Sequence, residues 1–180
     1  MIINNSEAEK DTIFNVAKMM AAAARTAPKG MGIDNIQVLI VDGREKDDLI
    51  ARLLEISEKT GEDFYRRDSE NLKCSECVVL IGVKNSPVNL SNCGNCGFKN
   101  CDEMKKAGAN CAFNITDLGI AVGSAVSIAA DHRIDNRVFF SAGRAATDIG
   151  LLPEDIRVCY GIPLSTHGKS IYHDRIQQEI

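Results

Sequence analysis

The residues of this 180-residue chain best suited to chemistry are its seven cysteines. Four of them, Cys93, Cys96, Cys101 and Cys111, lie in the stretch SNCGNCGFKNCDEMKKAGANC with the spacing C-x2-C-x4-C-x9-C. Four thiolates converging on one small volume are the ligand set of an iron–sulfur cubane, and a C-x2-C turn delivers two of them from a single tight loop. Gly94 and Gly97 follow the first two cysteines. Glycine there frees the backbone to fold round inorganic sulfide and to aim N–H groups at sulfur, which tunes the potential. Cys101 would then enter from the start of a short helix, DEMKKAG, and Cys111 from the turn after it.

Zinc is the main rival. Cys74-x2-Cys77 precedes Cys93-x2-Cys96 by 15 residues, which fits a two-knuckle zinc spacing. Against it, Cys77 opens the apolar run VVLIGV, about 20 Å long if extended, so the chain would have to double back to join the two pairs. Zinc held that way also leaves Cys101 and Cys111 without a role. Disulfides depend on compartment. The start, MIINNSEAEKD, is polar and acidic where a signal peptide has a basic end and an apolar run, so a cytoplasmic location is expected. Structural disulfides are rare there, and dense cysteines are more often metal-binding or catalytic. Cys159, in the apolar run IRVCY, is most simply a small buried hydrophobe, and Cys74 and Cys77 are either spare ligands or structural thiols.

Composition sets the frame for these residues. With 44% hydrophobic and 26% charged residues, the chain is of ordinary globular type, and its length fits one domain, 1–180, with a cysteine-rich insertion at 90–112. The net charge of -4 and the lack of a basic cluster exclude nucleic acid as the main partner. The longest weakly polar stretch, Leu118 to Ala130, falls short of the roughly 20 residues that span a bilayer, so no membrane partner is expected. No Walker A loop or G-x-G-x-x-G fingerprint is present, and His132, His167 and His173 follow no metal-ligand spacing.

The elements that must position the cysteines alternate between helix and strand. Ser6 with Glu9 makes a capping box, and Ile13, Ala17, Met20 and Ala24 follow at helical spacing, so a first helix is expected from Ser6 to the TAPKG stop. IQVLIV, 36–41, and CVVLIGV, 77–83, are buried strands, separated by a helix after Asp42-Gly43 that carries Leu49, Ile50, Leu53, Leu54 and Ile56 inward. A long helix is expected over Ile115 to Ala130, with strands around Val138–Ala142 and Ile156–Tyr160. The long helix, ITDLGIAVGSAVSIAA, is apolar all round, which predicts burial on every side. Its small residues Gly119, Gly123, Ser124, Ala125 and Ala129 would admit a close backbone, either in the core or across a symmetric dimer.

CGNCGFKNC with a later cysteine resembles the four-cysteine C-G-x-C-G-x-x-x-C iron–sulfur domain of electron-transport and corrinoid iron–sulfur proteins, although Cys111 comes sooner than that domain's last cysteine. AARTAPKGMGIDNIQVLIV resembles the nitroreductase segment A-x-x-A-P-S-x-x-N-x-Q. DLGIAVGSAVSIAADHRID resembles that family's central helix, and YGIPLSTHGK its G-x-P tail. The whole chain resembles the ferredoxin-domain proteins grouped as DUF2148, in which both parts occur together. The resemblance implies an α+β fold, a nitroreductase-like α/β/α sandwich with a mixed, mostly antiparallel sheet. It further implies a homodimer with FMN at the subunit interface, a 4Fe-4S cluster, and an unknown redox partner. On that basis Ala27, Pro28, Lys29 and Asn35 match the flavin-side loop, with Lys29 where the family has Ser. The family's N-terminal Arg-Ser-x-Arg for the flavin phosphate has no counterpart here, and Arg25, Lys29, Arg144, Lys169 and Arg175 are the cations that could replace it. The function expected is electron transfer coupled to a flavin-dependent oxidoreductase site. The alternative is a non-enzymatic zinc or cluster protein with a vestigial flavin cleft.

Overall fold

The computed structural model describes residues 1–173. Its strands are β1 (Ile36–Val41), β2 (Cys77–Lys84), β3 (Asp135–Asn136) and β4 (Ile156–Ser165). Its helices are α1 (Asn5–Thr26), α2 (Gly43–Thr60), α3 (Asp63–Lys73), α4 (Cys101–Lys106), α5 (Ala112–Asp131) and α6 (Phe140–Asp148).

Strand β2 decides the architecture. All its residues except Lys84 are buried, and side chains of a strand alternate between faces. Cys77, Val79, Ile81 and Val83 join one core, while Val78 and Leu80 join another. A strand buried on both faces needs a sheet neighbour on each edge and helices above and below. The sheet runs β1-β2-β4-β3, and all three pairings are antiparallel, with Ile81 set between Val38 of β1 and Tyr160 of β4. α1 and α5 cover the first face through Ile13, Met20, Leu118 and Ala125, and α2, α3 and α6 cover the second through Leu49, Leu53, Leu72 and Ala145. Each buried leucine contributes about 1.5–3 kcal/mol relative to exposure. The α/β/α sandwich is thus present, with antiparallel pairing only among the described strands.

Three expectations change. The first helix is capped by Asn4, whose Oδ1 accepts the Glu7 N–H at 3.0 Å, so it begins before Ser6 and the Ser6–Glu9 box is not its cap. The strand expected at Val138–Ala142 is mostly helix α6. Only Phe139 keeps a bridge to the sheet, exchanging both backbone hydrogen bonds with Gly161. Ala142, Ala145 and Ala146 are buried at helical spacing, a period that a five-residue apolar run does not reveal. Gly143 makes this packing work: a Cβ there would lie 1.9 Å from the Cys159 carbonyl oxygen, so α6 rests directly on the β4 backbone.

The long helix is also longer and less enclosed than expected. α5 has 20 residues, and by length and composition alone it is the one described helix that could cross a membrane. Its inner side is spent on the core with α1, to which Ser124 Oγ adds a hydrogen bond on the Ala23 carbonyl at 3.0 Å. Thr116, Gly119, Ile120, Gly123 and Ser127 form an outer side that stays exposed in the single chain.

Gly143→Ala is expected to lower stability by about 3 kcal/mol, because the clash is with backbone that cannot rotate away. Equilibrium urea denaturation measures it, and an unchanged midpoint would contradict the close α6–β4 contact.

Candidate metal centre and the loop beside it

Between β2 and α5 the chain leaves the sheet, and α4 is its only regular element there. Gly94 and Gly97 have φ of 69° and 83°, a left-handed conformation that costs glycine nothing, and the Gly97 N–H donates to the Gly94 carbonyl at 2.9 Å. This is the tight turn expected between Cys93 and Cys96. Asn100 caps α4 by accepting the Glu103 N–H at 2.9 Å, which fixes Cys101 as the first helical residue. Cys111 directly precedes α5.

Cys93, Cys96, Cys101 and Cys111 all line one cavity, walled by Leu90, Phe98, Met104 and Phe113. The first three thiols are half-buried and Cys111 is buried. The donor set is purely sulfur, the soft chemistry of iron–sulfur clusters and zinc. A lone zinc at about 2.3 Å from each sulfur requires the sulfurs to crowd round one point. What the structure shows is that the four thiols share one cavity.

The cavity is anchored by residues that sequence reasoning passed over. Asn85, just past β2, accepts the Cys111 N–H on Oδ1 at 3.1 Å and donates from Nδ2 to the Ala109 carbonyl at 3.0 Å. Asn114, one turn into α5, is buried and accepts the Ser86 N–H at 2.9 Å. Arg157 of β4 donates to the Gly108 carbonyl at 2.7 Å. None of these has a local sequence signature, since each partner lies tens of residues away.

The remaining cysteines stand apart. Cys74 is exposed at the end of α3, and Cys77 and Cys159 are buried; none lines the cavity. Burial pushes the Cys77 and Cys159 thiols up to about 12, which keeps both protonated at neutral pH. Cys77 is committed to the core of β2, and neither it nor Cys74 lines the cavity shared by Cys93 and Cys96. All seven cysteines are free thiols.

The loop from α1 to β1 contains Ala27, Pro28, Lys29 and Asn35. Ala27 is buried and Pro28 exposed. Lys29 is folded back: its side chain is only 5% exposed, and Nζ donates to the Ala24 carbonyl at 2.8 Å and to the Arg25 carbonyl, closing the end of α1. Asn35 accepts the Lys84 N–H on its carbonyl at 3.0 Å, continuing the β1–β2 pairing. Arg25 pairs with Asp34 at 3.2 Å and donates to the Ile36 carbonyl at 2.8 Å. Elsewhere Arg144 pairs with Asp148 at 2.7 Å, Lys169 is exposed, and Arg175 lies outside the described residues. The loop and the cavity meet at Gly30, whose N–H donates to Asp117 Oδ1 at 2.9 Å. A Cβ on Gly30 would touch Phe113 Cδ1 at 3.4 Å.

The family model described as "Uncharacterized protein containing a ferredoxin domain (DUF2148)" matches residues 107–175. An uncharacterized protein of Archaeoglobus fulgidus is 41% identical over 183 residues, covering 97% of this chain and 98% of its own length. The chain belongs to the DUF2148 family. The DUF2148 match takes in Cys111 and leaves Cys93, Cys96 and Cys101 ahead of it. Among solved structures, a nitroreductase with bound FMN from Desulfitobacterium hafniense superposes with a TM-score of 0.62 at 16% identity, over 86% of this chain and 78% of its own. A nitroreductase with bound FMN from Bacteroides fragilis gives 0.60 at 12%, over 92% and 82%. A BluB-like flavoprotein from Clostridium difficile gives 0.55 at 18%, over 95% and 93%. This DUF2148 chain therefore has the nitroreductase fold.

Two outcomes follow. An unfolded chain releases the Cys77 and Cys159 protons near the ordinary value of 9.0, whereas the folded chain holds them to about 12. Their stabilisation is complete below pH 9 and is lost as pH rises towards 12, at about 1 kcal/mol per pH unit per thiol. Urea midpoints measured above pH 9 should fall, and Cys159→Ala should make that fall shallower, with Tyr172, also raised by burial, adding its own slope above pH 10. Asn85→Ala removes two hydrogen bonds at the cavity base and should cost about 1–3 kcal/mol in the metal-free chain, measured by the same unfolding.

Proposed function

We propose that this chain is an iron–sulfur redox protein in which Cys93, Cys96, Cys101 and Cys111 hold a 4Fe-4S cluster that exchanges single electrons with a redox partner. The observation that supports this best is that four thiols from three separate local structures, a glycine turn, a helix start and a helix cap, line one cavity. The ferredoxin-domain description of the family and the nitroreductase fold both point to redox chemistry. When bound, the cluster supplies a one-electron donor and acceptor. The chain supplies the rest: Gly94 and Gly97 shape the turn, Asn85 and Arg157 fix the Cys111 turn, and Met104 and Phe113 shield the cavity wall.

FMN, bound in the nitroreductases of Desulfitobacterium hafniense and Bacteroides fragilis, is a poorer match. A flavin phosphate needs clustered free cations or a free helix N-terminus. At the Ala27–Asn35 loop Lys29 is spent on α1 carbonyls and Arg25 on Asp34 and Ile36. The residues present there do not fit the phosphate, and no step is assigned to a flavin. That same observation favours the second reading, a metal-binding protein whose flavin cleft is vestigial. A cytoplasmic homodimer packed through the exposed side of α5 completes the proposal.

Anaerobically purified protein should be brown, bleach on dithionite reduction and give an EPR signal. Cys96→Ser should lose most of the visible absorption while keeping its far-UV spectrum. A colourless protein with one tightly bound zinc would sink the redox assignment, and stoichiometric yellow flavin would overturn the judgement on FMN.

A further inference from the structure

The Asp117 carboxylate has no role in the cysteine site as described. It sits in α5 at 4% exposure, with no Lys, Arg or His within 4.0 Å among the described residues and a single recorded hydrogen bond, from the Gly30 N–H. A buried carboxylate without a cation is costly. Asp117 lies four residues after Phe113, on the same side of α5. Phe113 Cδ1 and both Asp117 oxygens flank the same spot, the missing Cβ of Gly30, at 3.4 Å and 3.7 Å. Phe113 is also a wall of the cysteine cavity. One aromatic ring therefore borders both the cavity and the spot beside the buried acid.

We propose that Asp117 is a positioning residue whose carboxylate, beside Phe113 one helical turn from the cavity wall, sets the reduction potential of the group held by the four cysteines. The proposal rests on the cluster assignment above. Reduction adds one electron to the cluster, with no bond made or broken, and dithionite is the donor in the titration. Added negative charge is disfavoured by a nearby carboxylate, and burial weakens screening by solvent and salt. Asp117 therefore holds the potential low, which suits a donor of electrons rather than an acceptor.

The test is an anaerobic potentiometric titration of the reconstituted chain followed by visible absorption and EPR. Asp117→Asn keeps an oxygen to accept the Gly30 N–H and removes the charge. At fixed ambient potential it should raise the ratio of reduced to oxidised cluster by about tenfold, which is a shift of about 59 mV for a one-electron couple. Asp117→Ser removes the same charge with a smaller polar side chain and should shift in the same direction. Asp117→Glu keeps the charge and should titrate close to the parent. The difference between parent and Asp117→Asn should persist in molar salt, as a buried interaction does. A ratio for Asp117→Asn within about twofold of the parent, below the usual range of site-to-site coupling, overturns the proposal. So does an Asp117→Glu shift as large as that of Asp117→Asn, which would make the effect one of packing. A parent chain that takes up no cluster overturns the cluster assignment and this inference together. A brown parent with an unmoved Asp117→Asn potential overturns the inference alone.

Discussion

A long excursion from a sheet needs its base closed before its tip can hold anything, and here two asparagines close it. Asn85 holds the Cys111 amide, and Asn114 holds the Ser86 amide, so the departing and returning strands of the excursion are tied to each other. Bringing the ends of such a loop together costs entropy that grows slowly with its length. Once the base is fixed, the excursion needs only to arrange its own interior, through Gly94, Gly97 and Asn100. Cys111, the buried cysteine of the four, belongs to the clamped base; Cys93 and Cys96 belong to the tip. The site is thus built from a rigid scaffold at one end and local turn chemistry at the other.

The same division decides what the sequence could disclose. The tip is written in local code: C-x2-C, two glycines and an asparagine cap are readable in place, and all four cysteines line one cavity. The strands β1 and β2 were equally legible, because continuous β-branched runs between turn residues have few other homes. The base was not legible. KNSPVNLSN reads as a connector, and nothing in it announces that Asn85 reaches Cys111. Helix α3 escaped notice because its charged sequence, DFYRRDSENLK, buries only one narrow side. Helix α6 was mistaken for a strand because three alanines and a glycine show their helical period only when seated on β4.

Lys29 shows the limit of carrying a role across by position. The residues around it match a flavin-side loop in type and order, yet its ammonium group turns inward to satisfy carbonyls that the end of α1 leaves without partners. A lysine at that point is a helix cap first. The fold of the nitroreductases is compatible with such a change, since the sandwich depends on β2 and its two helical layers rather than on the loop. Scaffold and site are separable here, which is the general condition for one fold to host different chemistries.

The glycines on the outer side of α5 carry a different message. Gly119 and Gly123 sit in a helix interior, where each costs about 1 kcal/mol relative to alanine, and a Cβ on either would meet nothing within 4 Å in this chain. Two methyl-sized gaps therefore carry a thermodynamic loss that no neighbour among the described residues recovers. Such a recess leaves room for another surface to approach the helix. Its depth, one Cβ at two successive turns of helix, specifies how closely that surface would have to come: near enough for one backbone to lie against another.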